Sequence, residues 1–186
     1  MIEVSAETIE RVEALLAGVP KGAERALSNA MNRGLSKMKT GAAKKVREVY
    51  AVQSSTINEA TNTRIQKAST GNLAGYIHFS GYKIPLYKFK VTPKGPGVKK
   101  QVTAAVKKGG GTAFENAFIA QMKSGHIGVF ERETSKRFPI EEKMGLAMAQ
   151  MVGNLNVMTE LEKEAQKTVD ERIVHEIDRL LNGYGG

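Results

Sequence analysis

Of the 186 residues none is cysteine and none is tryptophan. Without cysteine there can be no disulfide framework, no thiol nucleophile and no thiolate metal site, and such a chain suits a reducing cytoplasm. Long hydrophobic runs are missing too. The apolar stretches are a few residues each, against the roughly 18 that a membrane span needs, so no membrane association is expected. The first residues, MIEVSAETIERVE, are acidic and lack an apolar core, so no signal peptide is expected either.

Histidine is sparse, and catalytic motifs are absent. None of His78, His126 and His175 has a second histidine or a carboxylate at metal-ligand spacing in a convincing cluster; His175, near Glu171 and Glu176, reads as a surface or interface residue, and there is no HExxH. There is no GxSxG elbow. Ser124 and His126 flank a single glycine, which is hairpin chemistry rather than nucleophile geometry. The runs KGPG and KKGGG do not match GxxxxGK[ST] and read as flexible turns. Glu131/Glu133 and Glu141/Glu142 are carboxylate pairs by spacing only and read as salt-bridge or rim residues. The chain therefore reads as a non-enzyme with no metal site and no cofactor.

What the sequence does have is positive charge, unevenly spread. The formal net charge is +9, but residues 21–110 carry +15 and the remainder −6. Either the middle faces a polyanion, or basic and acidic surfaces meet within the fold or between subunits.

The hydrophobic pattern reads as helices, then strands, then a helix. Ser5 is a helix cap ahead of an Ile9, Val12, Leu15, Leu16 stripe that ends at Gly18 and Pro20. A second helix is expected from Pro20 to about Tyr50, Ala-rich and interrupted by Gly34 and Gly41. Ser55 or Thr56 should start a third, with Glu59 completing a capping box.

From Thr63 the period becomes two. A weak strand over 63–68 precedes a Gly71-Asn72 turn and a better strand over 74–80, broken by Gly81. LYKFKV (86–91) reads as a one-sided strand, with Tyr87, Phe89 and Val91 on one face and Lys88 and Lys90 on the other. TPKGPG (92–97) turns it back onto 98–106. Lys88, Lys90, Lys94, Lys99, Lys100, Lys107 and Lys108 make this 88–108 hairpin a candidate contact for DNA or an acidic partner. Arginine, the usual reader of base edges, is confined there to the upstream Arg64, so any DNA contact would be non-specific.

AFIAQM (117–122) and IGVFE (127–131) flank a four-residue hairpin connection, and Phe138-Pro139-Ile140 reads as a strand edge. Met144, Met148, Met151 and Met158 read first as core filler and second as a partner-binding segment. The last helix, about Asn156 to Asn182, repeats apolar residues every three or four positions, including Leu161, Val169, Ile173 and Ile177. It would be about 40 Å long, which suits bracing a sheet or packing on a neighbouring subunit, so it is a candidate assembly helix. Gly183 stops it, and the GYGG tail is expected to be disordered. The fold class is α+β: a single domain over 1–186, with a helical part (1–61), a central antiparallel sheet (62–143) and a C-terminal helix (154–183).

The segment AFIAQMKSGHIGVFER (117–132) followed by FPIEE (138–142) resembles the phage minor tail protein Z family. The matching positions are Phe118, Ile119, Ala120, Met122, Ser124, Gly125, His126, Gly128, Val129, Phe130, Arg132, Pro139 and Ile140, with Glu141 or Glu142. IPLYKFK (84–90) and ALSNAMNRG (26–34) are also similar to family segments. Two stretches depart from the pattern: Glu115-Asn116 stands where the family often has Pro-Gly, and Gly145-Leu146-Ala147 stands where it often has a Gly-Pro-Ser-rich run. The resemblance implies a non-enzymatic α+β subunit of the virion tail, assembled in the host cytoplasm. It implies action late in tail completion near the head-proximal end, as a homo-oligomeric ring contacting a tail terminator, tube or connector protein.

Overall fold

The computed structural model describes residues 3–183. The expected disorder of the last three residues lies outside the described residues. The chain forms two compact units, each gathered from separated stretches. The first comprises Met1–Ala42, Thr63–His78 and Leu155–Gly186; the second comprises Ala43–Asn62 and Phe79–Asn154. Its helices are α1 (Ala6–Leu15), α2 (Gly22–Val49), α3 (Ser54–Ala60), α4 (Met148–Val152) and α5 (Leu155–Leu181). The class is α+β, with N-terminal helices, several small sheets and a long C-terminal helix.

In the first unit α1 begins as its sequence dictates. Ser5 is the cap, and its hydroxyl accepts from the Thr8 amide at 3.2 Å. Pro20 does not open α2, contrary to expectation. A tight turn, with Gly22 N–H donating to the Val19 carbonyl at 2.8 Å and Lys21 at φ 51°, delays the helix to Gly22. The core joins Val12 and Leu16 of α1, Ala26, Leu27 and Ala30 of α2, and Val169, Ile173 and Leu180 of α5. Small residues on α2 let α5 come close: a Cβ on Gly41 would stand 3.3 Å from Leu161. The strands β1 (Asn62–Gln66) and β2 (Tyr76–Ser80) pair with each other. The loop between them is held to α2 by Asn32, whose amide donates to the Ala68 carbonyl at 2.9 Å and accepts from the Ala68 N–H at 2.8 Å.

In the second unit α3 starts at Ser54, capped by Gln53 without a side-chain hydrogen bond. The expected capping box is absent because Thr56 lies inside the helix and is buried. LYKFKV is not one strand. The chain runs through β3 (Lys83–Pro85), a 3-10 turn (Leu86–Lys88) and β4 (Lys90–Thr92). Leu86, Phe89 and Val91 are buried, and the Leu86–Phe89 spacing of three is that of a 3-10 turn rather than a strand.

β4 does pair antiparallel with β5 (Val102–Ala105), Val91 opposite Ala104, so the hairpin is present. An unanticipated strand, β6 (Thr112–Phe114), joins β5 after the KKGGG turn. A second sheet orders β7 (Ala117–Gln121), β8 (Ile127–Arg132) and β9 (Ile140–Glu142). β10 (Met144–Ala147) pairs with β3 and leads into α4, where Met148 and Met151 are core residues. Gly81 is dictated by a close approach, since a Cβ there would lie 2.1 Å from the Ala60 carbonyl oxygen.

Candidate functional site

Successive strand residues point to opposite sides of a sheet. On β7–β8–β9 the odd-numbered Ile119 and Val129 point inward and are buried. The even-numbered residues share the other face, where the register sets Phe118 opposite Phe130, Phe130 opposite Glu142, and Arg132 opposite Ile140. Most of the side chains that carry the family resemblance therefore meet on one face. The Phe118 and Phe130 rings lie 6.3 Å apart, His126 stands edge-on to Phe130 at 6.4 Å, and the Arg132 guanidinium sits 4.9 Å above the Phe118 ring. His126 Nε2 donates to the Glu142 carboxylate at 2.8 Å.

Two glycines make this face possible. Gly125, at φ 84°, closes the hairpin, where Met122 N–H donates to the His126 carbonyl at 2.7 Å. A Cβ on Gly128 would fall 2.5 Å from the Glu142 carboxylate and 2.9 Å from the Phe130 ring. The ring thus folds over a position that must stay empty, which buries Phe130 although it stands on the outer face.

Arg132 also donates to the Arg137 carbonyl at 2.6 Å, which anchors the loop before β9. Ser124, Arg132 and Pro139 are exposed; Ala120, Met122 and Ile140 are half-buried. His126 is paired with Glu142 rather than Ser124, so no nucleophile–base pair forms. On the other face Glu131 forms an ion pair with Lys143. The hydrogen bond that the Lys143 ammonium donates to Glu131, reinforced by the charges of Glu131 and Glu141 against the effect of burial, holds the Lys143 pKa above its ordinary value.

The basic residues form a different surface. No aspartate or glutamate occurs between Glu59 and Glu115. Lys88, Lys90, Lys94, Lys99, Lys100, Lys107 and Lys108 are all exposed, and none has an ion-pair partner among the described residues. They are not one hairpin face. Lys88 ends the 3-10 turn, Lys90 is on β4, Lys94, Lys99 and Lys100 lie in the β4–β5 connection, and Lys107 and Lys108 lie at the β5–β6 turn. Lys88, Lys90 and Lys94 line one cleft of about 370 Å³ beside Tyr87, Phe89 and Gln53. Its rim is tied by the Tyr87 hydroxyl donating to the Lys94 carbonyl at 2.6 Å.

In the first unit Leu161, Val169 and Ile173 are buried in the chain's own core, and Ile177 is half-buried against it. Glu176 is the residue that periodicity overlooks. It is fully buried, its carboxylate 2.5 Å from Arg172 and 2.8 Å from Arg179, and it accepts from the Asn29 amide at 3.1 Å. Burial alone would raise its pKa. The Asn29 hydrogen bond and the two guanidinium groups outweigh burial and hold the carboxyl below its ordinary value. A readable signal existed: position 176 continues the 169, 173, 180 stripe, with arginines four before and three after.

Beside this cluster a groove of about 510 Å³ runs between α2 and α5, lined by Arg33, Lys37, Thr40, Glu171, Arg172 and His175. The hydroxyls of Ser36, Thr40 and Thr168 already donate to helix carbonyls. Among the described residues no cluster of His, Asp or Glu could hold a metal ion, and no helix is long and apolar enough to cross a membrane.

The family model described as prophage minor tail protein Z matches residues 7–184. No curated protein and no solved structure matches the chain.

Proposed function

Since the chain belongs to the prophage minor tail protein Z family, a family of structural phage-tail proteins that implies contacts with other tail proteins, we propose that it acts in tail completion near the head-proximal end of the tail. In this reading it is assembled in the host cytoplasm as the subunit of an oligomeric ring and makes no bond-breaking step. The match over residues 7–184 carries the reading. The β7–β8–β9 face supports it. Half-buried Phe118 under Arg132, backed by the buried Phe130 ring and flanked by the His126–Glu142 pair, is a small apolar centre with a charged rim, the composition of a protein contact surface. The face is built from the chain's own resemblance-bearing residues, so it is the surface we assign to the tail terminator, tube or connector protein.

Electron microscopy of particles assembled without this protein tests the reading. Tails that are incomplete or fail to join heads are expected; normal, complete tails joined to heads would overturn it. A second reading, non-specific duplex binding, is favoured by the acid-free run between Glu59 and Glu115. It requires affinity that falls steeply with salt.

A further inference from the structure

The lysine cleft has a counterpart on the same chain. Glu7, Glu10 and Glu13 are exposed on α1, and none has an ion-pair partner among the described residues. Spaced three apart, they form an acidic ridge that climbs the helix over about 9 Å. Other charges are paired within the chain: buried Glu176 with Arg172 and Arg179, Glu131 with Lys143, and at the surface Lys37 with Glu164 at 3.8 Å. Among the exposed charges without an ion-pair partner, the ridge and the cleft lysines are two clusters of opposite sign, one in each unit. A DNA partner would satisfy the lysines alone. A second copy of the chain satisfies both.

We infer that the cleft formed by Lys88, Lys90 and Lys94 receives the Glu7–Glu10–Glu13 ridge of a neighbouring copy, in a head-to-tail contact. This inference rests on the ring reading and deepens it. A contact between two different patches repeats from copy to copy and closes into a ring when the rotation allows. Its charged character makes the association salt-sensitive.

The test is a charge swap on the full chain, read by sedimentation equilibrium at low and high salt. K90E/K94E and E10K/E13K are each expected to weaken self-association by about tenfold or more at low salt. Glu7 is left intact because it supports the first turn of α1. Mixing the two variants is expected to restore association, because each then presents complementary charge to the other. So is combining all four changes in one chain. Far-UV circular dichroism and a thermal melt confirm that the variants are folded.

A wild-type chain that stays monomeric at every concentration overturns the ring reading and this contact together. A wild type that associates while both variants associate equally well overturns this contact alone. Loss of duplex binding in K90E/K94E with self-association unchanged assigns the cleft to DNA and overturns it as well. Failure of the mixture to recover, with both variants folded and impaired, also overturns the pairing.

Discussion

The charge that stands out in each unit is handled differently. In the first, a carboxylate sits in the core and is enclosed by two guanidinium groups and an amide. In the second, seven exposed lysines have no ion-pair partner among the described residues. A buried charge left uncompensated costs several kcal/mol, so Glu176, Arg172, Arg179 and Asn29 must be kept together for the unit to fold. Exposed lysines cost almost nothing, so nothing in the fold requires them. Charge that is paired inside speaks of stability, and charge left open speaks of what the surface meets.

That contrast can be broken at several points. The largest effect is expected from Leu161→Asp, which puts an unpaired charge where α5 packs on α2 at Gly41, or from Ile173→Asp, which puts one in the cluster that holds Val169 and Leu27. Loss of more than about 4 kcal/mol is anticipated, seen as loss of the cooperative melt of the first unit. Glu176→Ala comes next. It strands both arginines and the Asn29 amide for about 3 kcal/mol, the low end for a broken buried pair because the arginines reach solvent; denaturant titration measures it.

The same residue sets an acid limit. Its folded pKa lies below the ordinary 4.5, so the stability it supplies is complete above pH 4.5 and is lost as pH falls through the folded value. Denaturant midpoints measured down the acid limb should show that slope, and Glu176→Gln should remove it.

Gly128→Ala forces Phe130 and Glu142 apart and is expected to cost about 1–3 kcal/mol. An altered His126 resonance in NMR would report the displaced His126–Glu142 pair. The smallest effect belongs to the lysines: Lys90→Ala and Lys94→Ala should leave the melting midpoint unchanged within about 0.5 kcal/mol. A larger loss would show that they serve the fold after all.

Much of this architecture is legible in the residues, for identifiable reasons. The α5 stripe holds over seven turns, and the Ser-Gly turn between AFIAQM and IGVFE gives the β7–β8 hairpin its connection. LYKFKV misleads because Tyr87, Phe89 and Val91 alternate as a strand does, while the burial that decides the matter is the Leu86–Phe89 spacing of three. β6 carries no alternation of its own and is a strand only because β5 offers it partners.

Glu176 hides because a charged residue on an apolar stripe reads as solvent-facing until the flanking arginines are counted. The outer face of β7–β8–β9 is legible as a set of residues but not as a site. That Phe130 would fold back over Gly128 and be buried on the solvent side is a three-dimensional fact.

The Asn32 clamp has a consequence for how this sequence can drift. By donating to and accepting from the backbone of Ala68, the amide takes the place that a neighbouring strand would otherwise fill. It recognises a peptide group, which every residue has. Position 68 can therefore change identity while its side chain stays small enough for a nearly closed site. Position 32 has no such freedom. Aspartate would present a second acceptor to a carbonyl, and glutamine would overreach by one methylene. Two residues in mutual contact are thus under unequal selection, and divergent copies of this chain should vary at 68 long before they vary at 32.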